Sequence, residues 1–268
     1  MQADDDGLLL QERDDKGVLR LTMNNGQNRN PLSEAMLNAL LDAFRTAGED
    51  RAVRVIVLAA LGPAFSAGHD LKEMTAGRDA PDRGRAYFAK IMGLCSTVMQ
   101  AVVTCPKPVI AEVDGVAAAA GCQLVASCDL AVASDASRFI TPGVNIGLFC
   151  STPMVALSRN VSNKHAMEML LTGDVTSAER AAEIGLINRC VPAEEVRAAA
   201  HGLAEQIASK SALTVAIGKR AFYAQREMTL SDAYDYASEV MVTNMLARDA
   251  EEGIGAFIEK RDPNWQDS

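Results

Sequence analysis

The sequence predicts an α/β core followed by a helical C-terminal region, and three observations carry that expectation. Short, nearly continuous apolar runs such as VRVIVLAA (53–60) and PVIAEV (108–113) suit parallel strands covered on both faces. Segments with the 3.6-residue spacing of amphipathic helices alternate with them. After Pro192 the pattern is helical, with no strand candidate through Lys260. A boundary is therefore expected near residue 200, dividing a core of residues 1–200 from a helical region of 201–268.

The first element is a hairpin. Two apolar runs between Leu8 and Met23 flank DDKG, with the turn at Asp15 to Gly17. The loop NNGQNRNP follows, and Ser33 is placed to cap a helix with Met36, Leu37, Leu40, Leu41 and Phe44 on one face. The strand VRVIVLAA leads to PAFSAGHDL (63–71), read as a loop at the carboxyl end of a strand, where parallel sheets bind ligands. A helix from Gly84 to Val103 runs through CPKP into the strand PVIAEV. The segments DLAVAS and SRFITPG read as further strands, and VNIGLFCS as a loop. Thr152 with Pro153 marks a helix start, and Thr176 with Glu179 has capping-box spacing for a helix that stops at Gly185. LINRCV is the last strand.

The stretch GVAAAAGCQLVASCD, from Gly115 to Asp129, stands out. Between Ala117 and Gly121 no side chain exceeds a methyl group, so a ligand carbonyl could approach the main chain. A helix beginning near Ala120 would point free N–H groups at it, which describes an oxyanion hole. A buried alanine-rich helix start chosen for tight packing explains the same residues equally well.

Composition narrows the partners. The net charge of −9 opposes nucleic acid and anionic membrane surfaces, which need a cationic face. No unbroken apolar run reaches transmembrane length, so no membrane span is expected. The acidic start MQADDDG has neither an apolar signal core nor an Arg-rich transit pattern, and a cytoplasmic protein is the expectation. Cys95, Cys105, Cys122, Cys128, Cys150 and Cys190 lack CxxC pairing and zinc-type spacing, so they read as reduced, packed thiols and no metal is expected.

Taken in order, NRNPLS, FSAGHDLKEM, KPVIAEVDGVAAAAGCQLVASCDLAVAS, TPGVNIGL, LLTGDVTSAERAAEIGLINRCVP and EGIGAFIEKR give the chain a clear likeness. It resembles the crotonase superfamily, also called the enoyl-CoA hydratase/isomerase family. The resemblance implies a crotonase-like spiral of ββα units, with C-terminal helices that build homotrimers, often paired as dimers of trimers into hexamers. It implies an acyl-CoA thioester as substrate in fatty acid metabolism, a lyase-type label, and coenzyme A as part of that substrate rather than as a separate cofactor. Carried over by motif, the backbone amides of His69 and Ala120 form the oxyanion hole. Arg29 and Pro31 lie near the nucleotide, and Ser66, Gly68, Asp70 and Leu71 near the adenine and pantetheine. Lys260 matches a lysine that reaches the coenzyme's phosphates, usually from a neighbouring subunit.

Hydratases of the family use two glutamates, and the matching positions here are Gln123 and Gly143. Glutamine does not titrate near neutral pH and glycine has no side chain, so ordinary hydration should be weak or absent. Asn145, Cys150, Ser151 and Thr152 are candidate replacements, with the His69 imidazole as an outside choice; each also has a plain structural role as turn residue, core filler, cap or accommodated side chain. Asp70 and Asp114 read as loop-shaping acids and Glu73 as a helix-face carboxylate. Glu112, on a buried strand, needs a partner that the sequence does not identify, and is the acid to check first for a shifted pKa. A non-catalytic acyl-CoA binder or sensor remains the alternative to an enzyme. An RNA-binding role, found in one branch of the family, lacks the basic helix face it needs.

Overall fold

The antiparallel hairpin forms as expected, from β1 (Leu9–Arg13) and β2 (Val18–Met23). Asp14 fixes its turn, one carboxylate oxygen accepting the N–H groups of Lys16 and Val18 at 2.9 Å each. The computed structural model describes residues 7–268; residues 1–6 of the acidic start lie outside the described residues. Ser33 caps α1 (Glu34–Glu49) by accepting the Met36 N–H at 3.2 Å, and the apolar face anticipated for this helix is buried.

From β3 (Val55–Ala60) the chain repeats one manoeuvre. A strand of a large sheet turns directly into a strand of a small sheet, and a helix follows. β3 leads to β4 (Ala64–Ser66), α2 (Leu71–Gly77) and α3 (Arg85–Thr104). Next, β5 (Val109–Val113) leads to β6 (Val116–Ala118) and α4 (Ala120–Ser127). Then β7 (Leu130–Ser134) leads to β8 (Arg138–Ile140), a 3-10 turn at Pro142–Ile146, and α5 (Ser151–Leu157). After α6 (Asn163–Thr172), the short β9 (Thr176–Ser177) and α7 (Ala178–Glu183), β10 (Arg189–Val191) closes the large sheet.

The large sheet runs β1-β2-β3-β5-β7-β10, parallel except at β1, and the small one β4-β6-β8-β9, antiparallel only at β9. The result is the spiral of ββα units. Its main core lies between the sheets and helices α1, α3 and α4, around Phe44, Phe65 and Phe139. By length and hydropathy α3 could cross a membrane, but Ile91, Cys95, Val98, Met99 and Val102 form one stripe buried in that core.

Residue 200, near the anticipated boundary, falls inside α8 (Val196–Ala208). That helix lays Val196, Ala200 and Ala204 on the other face of the large sheet, against Val18, Val55, Val57, Ile110 and Val132. The helices that follow, α9 (Ala212–Gln225), α10 (Leu230–Met245) and α11 (Arg248–Glu259), bury little: among their residues only Asp249 and Ala256 are inside. A buried ion pair ties α9 to the core. The Lys219 ammonium lies 2.6 Å from Asp129, which also accepts the Tyr223 hydroxyl at 2.9 Å and the Val109 N–H at 2.7 Å.

Candidate active site

The small sheet brings two chain corners together. β4 pairs with β6 through Ala64–Val116 and Ser66–Ala117, so the segments leaving the two strands, Ala67–His69 and Ala119–Gly121, abut. Glycine makes that approach possible. At Gly68, where φ is +88°, a Cβ would lie 3.0 Å from the Ala118 carbonyl oxygen and 3.3 Å from the Ala120 nitrogen. At Gly121 a Cβ would lie only 2.4 Å from the Ser66 carbonyl oxygen. The run of small residues is thus main chain pressed on main chain.

Ala119, the cap of α4, takes φ 48° and ψ −114°, a region that side chains avoid at a cost of about 1–3 kcal/mol. Its carbonyl accepts the Gln123 N–H at 3.0 Å, which leaves Ala120 in the first turn with no helical carbonyl to donate to. Its free N–H and the positive end of the helix face the same way.

The loop before α1 buttresses the other corner. Ala67 N–H donates to the Arg29 carbonyl at 2.9 Å and Leu32 N–H to the Gly68 carbonyl at 2.7 Å. Asn30, fully buried at φ 47°, donates to the Leu61 and Ala64 carbonyls at 2.8 Å each and accepts the Asn25 N–H at 2.8 Å. Sequence reasoning missed Asn30; the only signal was an asparagine-rich loop, and asparagine is tolerant of left-handed backbone. Arg29, Pro31, Ser66, Gly68, Asp70 and Leu71 therefore share one loop cluster. Asp70 caps α2, accepting the Lys72 and Glu73 N–H groups, while Glu73 accepts the Glu34 N–H and the Tyr87 hydroxyl. Lys260 sits apart from them, exposed at the end of α11, with no hydrogen bond or ion pair to these loops.

Three of the four buried side-chain polar atoms without a hydrogen-bond partner, among the described residues, belong to this site. They are both ring nitrogens of His69 and Oε1 of Gln123. Burial pushes the His69 pKa below its usual value, against the opposing pull of the Leu32 carbonyl and the Glu73 charge. The imidazole is neutral at physiological pH. Gln123, one turn along α4 from Ala120, is 4% exposed.

The other candidates are occupied locally. At Gly143 a Cβ would meet both the Cys150 sulfur and the Leu148 carbonyl oxygen at 2.9 Å, so the loop fills the space that a side chain would need. Asn145 donates to the Gly173 carbonyl at 3.4 Å, and the Ser151 hydroxyl to the Phe149 carbonyl at 3.4 Å. Burial pushes the Cys150 thiol up, which makes it a poor nucleophile at neutral pH. Thr152 is half-buried within α5, which begins at Ser151 rather than at Pro153. Glu112 finds the partner that its buried strand requires and the sequence does not identify: Arg20 of β2 reaches across β3 and grips both carboxylate oxygens. Asp114 accepts the Ser134 hydroxyl at 2.8 Å, the loop-shaping role anticipated for it.

Comparison with known proteins matches residues 13–268 to the enoyl-CoA hydratase/isomerase family model. The chain belongs to the enoyl-CoA hydratase/isomerase family. Rat enoyl-CoA hydratase domain-containing protein 3, mitochondrial, is 48% identical over 257 residues, covering 96% of this chain and 84% of the relative. The crystal structure of the human protein of that name superposes with a TM-score of 0.91 at 46% identity, over 97% of this chain and 100% of the other. A Mycobacterium smegmatis enoyl-CoA hydratase gives a TM-score of 0.93 at 51% identity, over 97% and 99%. These likenesses confirm the crotonase-type fold of this family member. They also correct the cytoplasmic expectation, because the rat, mouse, frog, human and zebrafish relatives are all named mitochondrial.

Proposed function

We propose that the protein binds an acyl-CoA thioester with its carbonyl oxygen between the N–H groups of His69 and Ala120, and stabilises the enolate that forms there. The observation that supports this reading is the close approach of Gly68, the residue before His69, to the first turn of α4, where an added Cβ would lie 3.3 Å from the Ala120 nitrogen. An enolate oxygen gains charge only as reaction proceeds, so fixed donors favour the transition state over the ground state. The unpartnered atoms of His69 and Gln123 beside the amides support a ligand of mixed polarity. Coenzyme A would run along Arg29, Pro31, Ser66, Gly68, Asp70 and Leu71.

Lys260 would meet its phosphates only from a neighbouring subunit of a homotrimer or of a dimer of trimers. The apolar surface left on the C-terminal helices favours such assembly: Leu230 is 77%, Leu246 83% and Phe257 84% exposed. Sedimentation velocity checks it, since Leu246→Asp with Phe257→Asp should yield monomers.

Ordinary hydration is not expected. Gln123 and Gly143 supply no titrating group where the hydratases place two glutamates, and each lost group costs about 10²–10⁴-fold. The same observation keeps a non-catalytic acyl-CoA binder as the second reading. Thermal stabilisation by acyl-CoA tests the shared part, and turnover across a panel of enoyl and acyl thioesters separates enzyme from binder. Failure of every acyl-CoA to raise Tm would refute both.

A further inference from the structure

No residue of α11 belongs to either apolar cluster of the core, and its Ile254, Phe257 and Ile258 are exposed. Among the described residues, every hydrogen bond that joins α11 to chain outside itself and its two caps ends on residues 261–268. That segment has no helix or strand of its own. It turns back at Lys260, where φ is +56°, and Glu252 closes the bend. The Arg261 guanidinium donates to both Glu252 carboxylate oxygens at 2.6 and 2.9 Å, and the Asn264 N–H to one of them at 2.8 Å.

The far end of the segment is caught by Asp249, in the first turn of α11. This side chain is 1% exposed and accepts the Gln266 and Asp267 N–H groups, one on each oxygen, at 2.7 and 2.9 Å. A buried carboxylate is costly unless donors reach it, so Asp249 and the segment hold each other in place. From there the segment grips the core. The Asp267 carboxylate accepts the N–H of Ala212, the first residue of α9, at 2.7 Å and pairs with Arg54 at 2.8 Å. Arg54 in turn donates to the Ala208 and Lys210 carbonyls at 2.7 and 2.6 Å. The Trp265 indole donates to the Ser209 carbonyl, at the end of α8, at 2.9 Å. Its ring lies over Gly253 of α11, where a Cβ would sit 3.0 Å from it.

We infer that residues 261–268 form a latch, with Asp249 as its catch, that docks α11 on the junction of α8 and α9 as a separately releasable unit and so sets where Lys260 stands. A helix that gives the core no side chain can leave while both sheets stay folded, because local opening follows the least-anchored units. The consequence for coenzyme binding rests on the thioester reading above, whereas the docking does not.

Two variants of the full, assembled protein test the latch. Asp249→Ala removes the catch, and Gly253→Leu fills the seat of the Trp265 ring while favouring the helix itself. In both, amide hydrogen exchange across α11 should quicken about tenfold or more, with β3 and β5 unchanged. Emission from Trp265, the single tryptophan of the chain, should move to longer wavelength. In calorimetric titration with hexanoyl-CoA, Asp249→Ala should lose the affinity that Lys260→Ala loses, and the double variant should bind no more weakly than Lys260→Ala. The inference is overturned if α11 keeps its protection in both variants or if β3 and β5 lose theirs with it. It is overturned equally if Asp249→Ala retains the affinity that Lys260→Ala loses, or if the two losses add. Unchanged affinity in Lys260→Ala removes the lysine–phosphate reading, and the exchange result then decides the latch alone.

Discussion

Gly121→Ala probes the proposed oxyanion hole while adding nothing but a methyl group. The added Cβ would start 2.4 Å from the Ser66 carbonyl oxygen and 2.8 Å from the Ser66 Cβ. Neither neighbour is the free end of a flexible side chain. To reach 3.0 Å from that oxygen, the start of α4 and the end of β4 must part by about 0.6 Å, and ordinary contact needs about 1 Å. That gap opens between the two segments that carry the His69 and Ala120 amides. Donors work at about 2.7–3.1 Å from the oxyanion, so one of the two bonds is lost, about 2.7–4 kcal/mol of barrier. Overpacking should also lower stability by about 1–3 kcal/mol. The assay is infrared difference spectroscopy of a bound thioester labelled with ¹³C at the carbonyl. The native protein should lower the carbonyl stretching frequency, and Gly121→Ala, folded and still holding the ligand, should return it toward the solution value. An unchanged shift in the variant would refute the placement of the two amides.

Other outcomes follow from the same geometry. Gln123→Glu with Gly143→Glu should not restore hydration of crotonyl-CoA, because Cys150 and Leu148 already occupy the path of a side chain at 143; a lowered Tm and flat kinetics are expected, against a turnover like that of a two-glutamate hydratase. His69→Ala should keep the lowered carbonyl frequency, since the amide and not the ring makes the bond. Because burial holds the folded His69 pKa below its unfolded value near 6.5, the unfolded chain takes up this proton first as pH falls. The contribution of His69 to stability is thus complete above pH 6.5 and declines below it, a slope that His69→Ala should remove from urea titrations at pH 5 to 7. Lys219→Met leaves the Asp129 carboxylate buried and unpaired; a loss of about 3–5 kcal/mol is expected in denaturant unfolding, and less when Asp129→Asn accompanies it.

The main sheet was largely legible. VRVIVLAA, PVIAEV and DLAVAS announce buried parallel strands by composition, and Ser33 announces α1 by its cap. Weak or non-local signals failed. β4 and the start of α2 lie in a segment read as loop, because a three-residue strand has no period to detect. α6 escaped notice with only Ala166, Met169 and Leu170 buried. Ser177 rather than Thr176 caps α7, because the helix begins one residue later than the Thr176–Glu179 spacing implies, at Ala178, and Ser177 accepts the Arg180 N–H. In the site, the helix start at Ala120 could be read from small residues. Asn30 bridging two loops, Arg20 reaching Glu112, and the loop packed over Gly143 could not, because each depends on residues brought together only by the turns of the spiral.

The proposed carbonyl site at Gly68, Ala119 and Gly121 contains no reagent, only architecture. Its proposed donors are peptide groups, indifferent to which side chains the chain carries, whereas an acid or base would have to come from side chains on α4 at Gln123 or on the loop between β8 and α5. Receptacle and reagent are thus separable parts. Someone seeking new thioester chemistry in this scaffold should leave residues 66–69 and 117–121 alone, and randomise residues 142–152 with the loop's length free to vary. Only a longer or displaced loop makes room at Gly143 for a new acid or base.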